Sequence, residues 1–257
     1  MNKMPVLFIG YGSPMNAIED NEFSRAWIAV GKALPTPKAI LCVSAHWETR
    51  GTQVTAVEKP RTIYDFYGFP PELSAMTYPA SGSPELARRV RDLAGGDEIT
   101  LDLTWGLDHG AWSVLRRLFP DADVPVIQLS LDRTKTAQTH YDLGRQLRPL
   151  RDEGILILGS GNIVHNLHMV VFEDTTYDWA VAFDGKVKQW ILDDAHEPII
   201  HYEKHGRQAA LAINSAEHYK PLLYVLGAKE PGEPVSFFAE KVWGGSLSMR
   251  CVLIGYT

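Results

Sequence analysis

A chain of 257 residues with a hydrophobic share of 45% is long enough for one large domain or two small ones. The net charge of −6 at pH 7 offers no basic surface for nucleic acid, and no apolar run approaches the roughly 20 residues of a membrane span. These features exclude nucleic-acid-binding and membrane-spanning classes and favour chemistry on small molecules.

The composition also bounds the domain organisation and the compartment. The 16 prolines are spread along the chain and mark no linker, so we expect residues 1–257 to form a single domain. Cys42 and Cys251 lie in apolar, strand-like runs and are expected to be buried thiols, which suits a reducing environment. The N-terminal apolar run is too short for a signal peptide. The sequence therefore predicts a soluble cytoplasmic protein and leaves its oligomeric state open.

Hydrophobic periodicity and helix-end signals divide the chain into alternating strands and helices. In chain order the prediction is strand 5–10, helix 21–34, strand 39–45, strand 53–57, helix 84–93 behind a Ser83 cap, strand 98–103, helix 111–119, strand 124–131, helix 134–150, strand 155–158, helix 178–192, helix 217–226 ended by Gly227, and strand 246–254. This alternation is typical of an α/β sandwich in which helices flank a largely parallel central sheet.

Residues 59–83 are predicted as a long loop, because prolines and glycines interrupt any regular element. The loop is rich in aromatic residues: Tyr64, Phe66, Tyr67, Phe69 and Tyr78. Long ordered loops are often functional, and aromatic rings can form a wall for a planar substrate. The alternative is that these rings only pack the loop onto the domain.

Three predicted strands end in small residues that are followed by a large polar side chain. These side chains are Tyr11 after the first strand, His46 after the second, and His165 after the Gly159-Ser160-Gly161 turn. In open α/β sheets, ligands bind beyond the carboxyl ends of the strands. The pattern indicates a metal site at that edge of the sheet.

Two further histidines occupy defined positions. His218 lies at the start of a predicted apolar helix, and His109 lies at a helix entry between Asp108 and Gly110. The remaining histidines have polar neighbours and are expected to be solvated at the surface; they are His140, His168, His196, His201 and His205.

Motifs for other chemistries are weak. Gly10-Tyr11-Gly12 and Gly159-Ser160-Gly161 lack the third glycine of a dinucleotide fingerprint. The chain has neither a Walker-type phosphate loop nor a Gly-x-Ser-x-Gly elbow, and nothing specific supports Ser13 or Ser160 as a nucleophile.

Six motifs, in order, resemble the class III extradiol ring-cleavage dioxygenases, and in particular the DOPA 4,5-dioxygenase-like subgroup. The resemblance covers about residues 5 to 254. The motifs are Gly12-Ser13-Pro14-Met15-Asn16, Val43-Ser44-Ala45-His46-Trp47, Tyr64-Asp65-Phe66-Tyr67-Gly68-Phe69-Pro70, Gly106-Leu107-Asp108-His109-Gly110-Ala111-Trp112, Gly159-Ser160-Gly161-Asn162-Ile163-Val164-His165-Asn166 and Glu217-His218-Tyr219-Lys220-Pro221-Leu222. The resemblance implies a one-domain α/β oxidoreductase that opens the ring of a catechol with O2 to give a muconic semialdehyde. It also implies one divalent metal, Fe(II) for catalysis or Zn(II) as isolated.

Carried over position by position, the resemblance assigns roles to four histidines. His46 and His218 are similar to the metal ligands of the family. His165 is similar to its active-site acid/base, which can itself reach the metal when no substrate is bound. His109 is similar to the histidine that helps to hold the substrate.

The first motif departs from the family, because Tyr11 stands where the family has a ligand histidine. A phenol has a pKa near 10 and must usually lose its proton to bind a metal, whereas an imidazole is available at pH 7. Three alternatives follow: an impaired form, a site with a phenolate ligand, or a site that uses His46, His165 and His218 alone. We favour the last.

Two other features bear on the site and its substrate. Glu217 is a reserve carboxylate, but in a helix it lies about 100° from His218, so the two are not expected to face one metal. The run after His165 lacks the His-Pro of the plant enzymes, so DOPA itself is not carried over as the substrate. Two rival functions remain, a catalytically silent metal- or ligand-binding protein and a zinc hydrolase.

Overall fold

A mixed central sheet organises the computed structural model, which describes residues 3–171 and 173–256 and leaves out the side chain of Asp97. Within the described residues the strands are β1 (Val6–Gly10), β2 (Ala39–Thr49), β3 (Thr52–Thr55), β4 (Ile99–Asp102), β5 (Val126–Asp132), β6 (Ile155–Gly161), β7 (Val235–Phe238), β8 (Val242–Trp243), β9 (Leu247–Ser248) and β10 (Cys251–Ile254).

The large sheet has the strand order β4-β3-β5-β2-β6-β1-β10-β7. Strands β5, β2, β6 and β1 are parallel and lie in the middle, and β3 runs parallel to β4. Antiparallel pairs join β3 to β5, β1 to β10 and β10 to β7. The predicted α/β fold with a largely parallel central sheet and flanking helices is therefore confirmed.

Helices cover both faces of this sheet. They are α1 (Glu22–Ala33), α2 (Pro71–Ser74), α3 (Pro84–Leu93), α4 (His109–Leu118), α5 (Ala137–Leu147), α6 (Asp178–Leu192), α7 (His196–Ile200), α8 (Gly206–Ala212) and α9 (Lys220–Ala228) in the described part of the chain. Side chains of β1 alternate between two hydrophobic cores, one on each face of the sheet. Val6 and Phe8 pack in the core formed with α3 and with α5 to α9. Leu7 and Ile9 pack in the core formed with α1, α2 and α4.

Several elements begin where the local sequence predicts. Asn21 accepts hydrogen bonds from the first turn of α1, and Ser83 accepts one from Leu86 at the start of α3. Both cysteines are buried and free, as predicted. Within the described residues, no helix is long and apolar enough to cross a membrane.

Two predicted elements near the C-terminus are wrong in their bounds. Helix α9 begins at Lys220 rather than at residue 217, and it runs through Gly227 to Ala228. Gly227 is needed for close packing on α5, since a Cβ there would lie 2.2 Å from the carbonyl oxygen of Tyr141. The predicted strand 246–254 divides into β9 and β10, which belong to different sheets.

The surface location predicted for His140 is also wrong. This residue is buried in α5, where its Nδ1 lies 2.9 Å from the hydroxyl of Tyr224. Its polar sequence neighbours face outward, and His140 faces inward toward α9. In a helix, the residues next to a buried position in the sequence lie on other faces, so their polarity does not indicate its burial.

Candidate functional site

A cavity of about 600 Å³ lies beyond the carboxyl ends of the central parallel strands. All five residues that the sequence predicts for the site line it: Tyr11, His46, His109, His165 and His218. The aromatic loop covers one side through Phe66, Tyr67 and Phe69, while Leu167, Trp243 and Leu247 are among the lining residues from other segments. The predicted convergence of these side chains on one crevice is present in the structure.

Strands β1 and β2 place Tyr11 and His46. Tyr11 follows the last residue of β1, and its backbone N–H donates to the carbonyl of Gly161 at the end of the neighbouring β6. His46 lies inside β2, which continues to Thr49 beyond the predicted end at residue 45. The pairing of β2 with β5 shifts in register between Val43 and Glu48, and His46 lies within this irregularity.

The segment after β6 places His165 and His218. The N–H of His165 donates to the carbonyl of Ala212. His218 lies in the turn before α9, and its carbonyl accepts from the N–H of Asn162. Gly161 permits this approach, since a Cβ there would lie only 2.1 Å from the His218 carbonyl oxygen. The glycine of the turn is therefore required by the close approach of the two segments.

The environment of His218 fixes which ring nitrogen faces the cavity. Its Nδ1 lies 3.4 Å from Oδ1 of Asn162, whose Nδ2 donates to the carbonyl of Ser248. Because the amide of Asn162 is oriented by this second bond, its oxygen faces the imidazole and accepts from Nδ1. The Nε2 of His218 is therefore left with its lone pair for the cavity.

Tyr11 and His46 are hydrogen-bonded to each other inside the site. The hydroxyl of Tyr11 lies 2.5 Å from Nε2 of His46. Burial raises the pKa of Tyr11 well above its usual value of 10.0, and the charges of Asp108, Asp65 and Glu217 add to this effect. Tyr11 is therefore a neutral phenol that donates to His46.

The arrangement of His46 and His218 fits a shared metal ion. Their ring centroids are 5.3 Å apart and their planes are perpendicular. Two imidazoles that bind one ion tetrahedrally at about 2.0 Å hold their centroids about 5 Å apart. Burial lowers the pKa of His46 to about 3 and that of His218 well below 6.5, so both rings are neutral at pH 7, as metal ligation requires.

His165 stands differently toward His218. The two rings are stacked with centroids 3.4 Å apart and planes inclined by 9°. Ring lone pairs lie in the ring planes, so those of two stacked rings run side by side and do not converge on one ion. In this arrangement, an ion bound to Nε2 of His218 would lie next to the ring of His165 without being coordinated by it.

The helical geometry expected for Glu217 and His218 is wrong, whereas the expectation that the two do not face one metal stays a prediction. Ligand atoms of His165, Glu217 and His218 all lie within 4.8 Å of one another. The expectation assumed helical geometry, but residues 217 and 218 lie in a turn before α9 begins at Lys220. A turn is not bound by the rotation of about 100° per residue in a helix.

Asp65 forms a second group with His46 and His109 that the sequence did not assign. Its Oδ1 accepts from the backbone N–H of His109 at 3.0 Å and also lies 3.0 Å from Nδ1 of that ring, in a bent contact. Its Oδ2 lies 3.4 Å from Nδ1 of His46. The only available signal was the position of Asp65 in the third motif, where the aromatic residues drew attention instead.

Asp65 is ionised in this environment. Burial opposes ionisation, but the interactions of Asp65 with His109 outweigh it and lower the pKa of Asp65. The neighbouring Asp108 has a raised pKa, caused first by burial and then by the charge of Asp65. Asp108 caps α4 and accepts from Ser44 and Gln128, which makes it part of the scaffold under the cavity.

Comparison with known proteins finds similar sequences over nearly the whole chain. The family model described as the catalytic LigB subunit of aromatic ring-opening dioxygenase matches residues 7–242. The chain is 49% identical over 259 residues to a 4,5-DOPA dioxygenase extradiol of Escherichia coli (strain K12), covering 98% of this chain and 95% of that protein. It is 38% identical over 254 residues to the protein of the same name from Beta vulgaris, covering 96% of this chain and 95% of that protein.

A solved structure shares the fold. The crystal structure of an uncharacterized protein from Escherichia coli K12 matches with a TM-score of 0.87 and 45% sequence identity. The match covers 98% of this chain and 100% of that one. The similarity therefore extends over nearly the whole chain.

Proposed function

This chain belongs to the LigB family of class III extradiol ring-cleavage dioxygenases, and we propose that it opens the ring of a substituted catechol with O2 to give a muconic semialdehyde. The observation that supports the proposal is the convergence of His46, His109, His165 and His218 on one cavity of about 600 Å³. Relatives that share 49% and 38% of its residues are named for DOPA, which makes a DOPA-like catechol the first substrate to test.

His46 and His218 are the proposed holders of one divalent metal, with Fe(II) for catalysis and Zn(II) as the alternative ion. A bound ion of this kind would supply Lewis-acid and redox chemistry toward a catechol and O2. The perpendicular rings, 5.3 Å apart, and the lowered pKa values of both imidazoles support this assignment. By the resemblance, Tyr11 stands at the third ligand position, and its ring centroid lies 5.6 Å from that of His218. Glu217 offers a carboxylate oxygen within 4.8 Å of a ring nitrogen of His218.

His165 is the proposed acid/base. Burial lowers its pKa to about 4, so the ring is neutral and able to take a proton from a catechol hydroxyl at pH 7. Its stacking on His218 holds it beside the metal position, within reach of a catechol bound there. The same ring can return the proton to the opened product.

The rest of the cavity binds and orients the substrate. His109 faces the cavity next to His46, with the two ring centroids 3.8 Å apart, and is proposed to accept a hydrogen bond from a catechol hydroxyl. Phe66 and Phe69 meet edge to face at 5.5 Å and offer an apolar wall for the aromatic ring. The assignment of residues 1–257 to one catalytic domain and the cytoplasmic location remain predictions.

A catalytically silent member of the same family is the second candidate. The specific observation that favours it is the hydrogen bond from Tyr11 to His46, which uses the Nε2 lone pair that a metal would need. Such a protein would bind a catechol or a metal weakly without turnover.

Oxygen consumption separates the two candidates. The purified protein is loaded with Fe(II) under nitrogen and mixed with L-DOPA, dopamine or catechol in aerated buffer, while an oxygen electrode and visible absorbance record the reaction. Extradiol cleavage gives one O2 consumed for each yellow semialdehyde formed. Binding of a catechol in equilibrium dialysis without O2 uptake, in both this chain and its Tyr11→His variant, would establish the silent member instead.

A further inference from the structure

The carboxylate of Asp65 lies between two imidazoles of the site. Both rings turn Nδ1 toward it, His109 at 3.0 Å and His46 at 3.4 Å. The two rings contact different oxygens of the carboxylate: Oδ1 faces Nδ1 of His109, and Oδ2 faces Nδ1 of His46. A carboxylate accepts hydrogen bonds and cannot donate one, so a ring nitrogen that faces it is favoured as N–H.

The opposite edge of His46 gives an independent constraint. Its Nε2 lies 2.5 Å from the hydroxyl of Tyr11. With the proton on Nδ1, His46 donates toward Asp65 and accepts from Tyr11. With the proton on Nε2, its Nδ1 lone pair would face a carboxylate inside a buried site, which is repulsive. Both contacts therefore select the same tautomer.

We infer that Asp65 is a positioning residue that holds His46 and His109 as Nδ1–H tautomers, so that Nε2 of each ring carries the lone pair. The consequence for chemistry rests on the proposed function: an Nε2 lone pair is what His46 needs to bind a metal and what His109 needs to accept from a catechol hydroxyl. The tautomer itself can be measured without metal, substrate or turnover.

Replacement of Asp65 by asparagine tests this geometry sharply. Its oxygen is fixed on the His109 side, because Oδ1 already accepts from the backbone N–H of His109. The new amide NH2 therefore faces Nδ1 of His46. To accept from it, His46 must move its proton to Nε2, while His109 keeps its proton on Nδ1.

Imidazole tautomers are read from long-range ¹H–¹⁵N correlation spectra of the metal-free, ¹⁵N-labelled full chain, in which a protonated nitrogen and a lone-pair nitrogen resonate far apart. A His46→Gln and a His109→Gln variant assign the two rings. We expect both rings to carry the proton on Nδ1 in the parent protein. In Asp65→Asn we expect His46 to switch to Nε2–H and His109 to remain unchanged.

Asp20→Asn, at an exposed aspartate paired with Arg25, is the matched control and should leave both rings as they are.

A second readout connects the tautomer to metal binding. In the Tyr11→His background, Asp65→Asn should weaken Zn(II) affinity by roughly 10- to 100-fold, the usual effect of losing a hydrogen-bond partner behind a ligand histidine. Asp65→Glu, which keeps the carboxylate, should recover part of it. A merely structural role in the loop would lower stability without a change of tautomer.

The inference is overturned if His46 carries its proton on Nε2 in the parent, a result that needs no variant to fold. It is also overturned if a folded Asp65→Asn protein keeps the parent tautomers. If the tautomers behave as expected and no form of the protein consumes O2 with a catechol, the proposed function fails and the role of Asp65 stands.

Discussion

The hydroxyl of Tyr11 lies 2.5 Å from Nε2 of His46 and occupies the place of a metal ion on that imidazole. A metal ligated by histidine lies about 2.0–2.1 Å from the ring nitrogen, so the hydroxyl and the ion cannot both be there. Two ligand atoms on one tetrahedral ion would also be separated by about 3 Å, which is more than this distance. This contact supports the first of the three alternatives for Tyr11, an impaired form in which the phenol competes with a metal ion for His46.

The first prediction concerns the proposed ligands. In the Tyr11→His background, the His46→Ala/His218→Ala double variant should fail to retain a stoichiometric metal ion, because the two perpendicular imidazoles are the pair whose spacing fits one ion. It should also lose the stabilisation that metal gives the Tyr11→His form, about 2.7 kcal/mol when free metal is at 100 times its dissociation constant. Metal analysis after desalting and thermal unfolding with and without Zn(II) measure both effects.

His168→Ala is the control, since His168 is an exposed histidine in the segment that follows His165. Full retention of metal in the double variant would show that the ion is held elsewhere, and the group of His165 and Glu217 would then be the place to look.

The second prediction concerns His165 as the acid/base. In a form that turns over, such as Tyr11→His, the change His165→Ala should slow ring opening by roughly 10²–10⁴-fold, because catechol deprotonation loses its base. The dissociation constant for a catechol under nitrogen should change little. Stopped-flow absorbance at the semialdehyde band measures the rate, and His201→Ala controls for the loss of a partly exposed histidine outside the site. Parent rates in the His165→Ala form would remove the acid/base assignment.

Much of the fold follows from local patterns in the sequence. Strand β6 and helix α6 can each be predicted from their own residues. Strand β6 is an apolar run that ends in glycines, and α6 has a stripe of large apolar side chains over Asp178–Leu192. The convergence of Tyr11, His46 and His165 also follows, since the ends of parallel strands share one edge of a sheet.

What the sequence could not predict depends on contacts between distant segments. Gly227 has the sequence signal of a helix end, yet it lies inside α9, and a glycine is needed there because the carbonyl of Tyr141 in α5 approaches closely. The roles of Asp65 and Asn162 arise from contacts with His46, His109 and His218 across the fold. Neither residue carries a periodicity or a spacing that reports which ring nitrogen it faces.

The third prediction is a dependence of stability on pH through His140, which lies outside the cavity. Burial lowers the pKa of His140 from 6.5 to about 4, so the folded protein keeps it neutral where the unfolded chain binds a proton. The unfolded state therefore gains protons as the pH falls below 6.5, and the stability of the folded state decreases until the pH reaches about 4. At about 1.4 kcal/mol for each pH unit, this amounts to roughly 3 kcal/mol.

The change His140→Gln removes the titrating group and keeps a polar partner for Tyr224. The free energy of unfolding, measured by urea denaturation between pH 4.5 and 7.5, should then fall less steeply with acid than in the parent. The difference should vanish above pH 7. Parallel curves for the two proteins over the whole range would mean that His140 is protonated equally in the folded and unfolded states.

The last prediction is that Tyr11 limits metal binding and turnover in this chain. A protonated phenol is a poor ligand for Fe(II), and here it also occupies the Nε2 lone pair of His46. Tyr11→His should raise Fe(II) affinity by at least about 10- to 100-fold, the scale seen for lost partners of a ligand histidine. It should also raise catechol-dependent O2 uptake and semialdehyde absorbance.

Tyr11→Phe separates a competing phenol from a phenolate ligand, because it removes the hydroxyl without adding a ligand. A competitor predicts that Tyr11→Phe binds Zn(II) more tightly than the parent, whereas a phenolate ligand predicts weaker binding and a charge-transfer band in the Fe(III) parent. If the parent turns over a catechol as fast as Tyr11→His, the hydroxyl is no obstacle and the proposed ligand set must be revised.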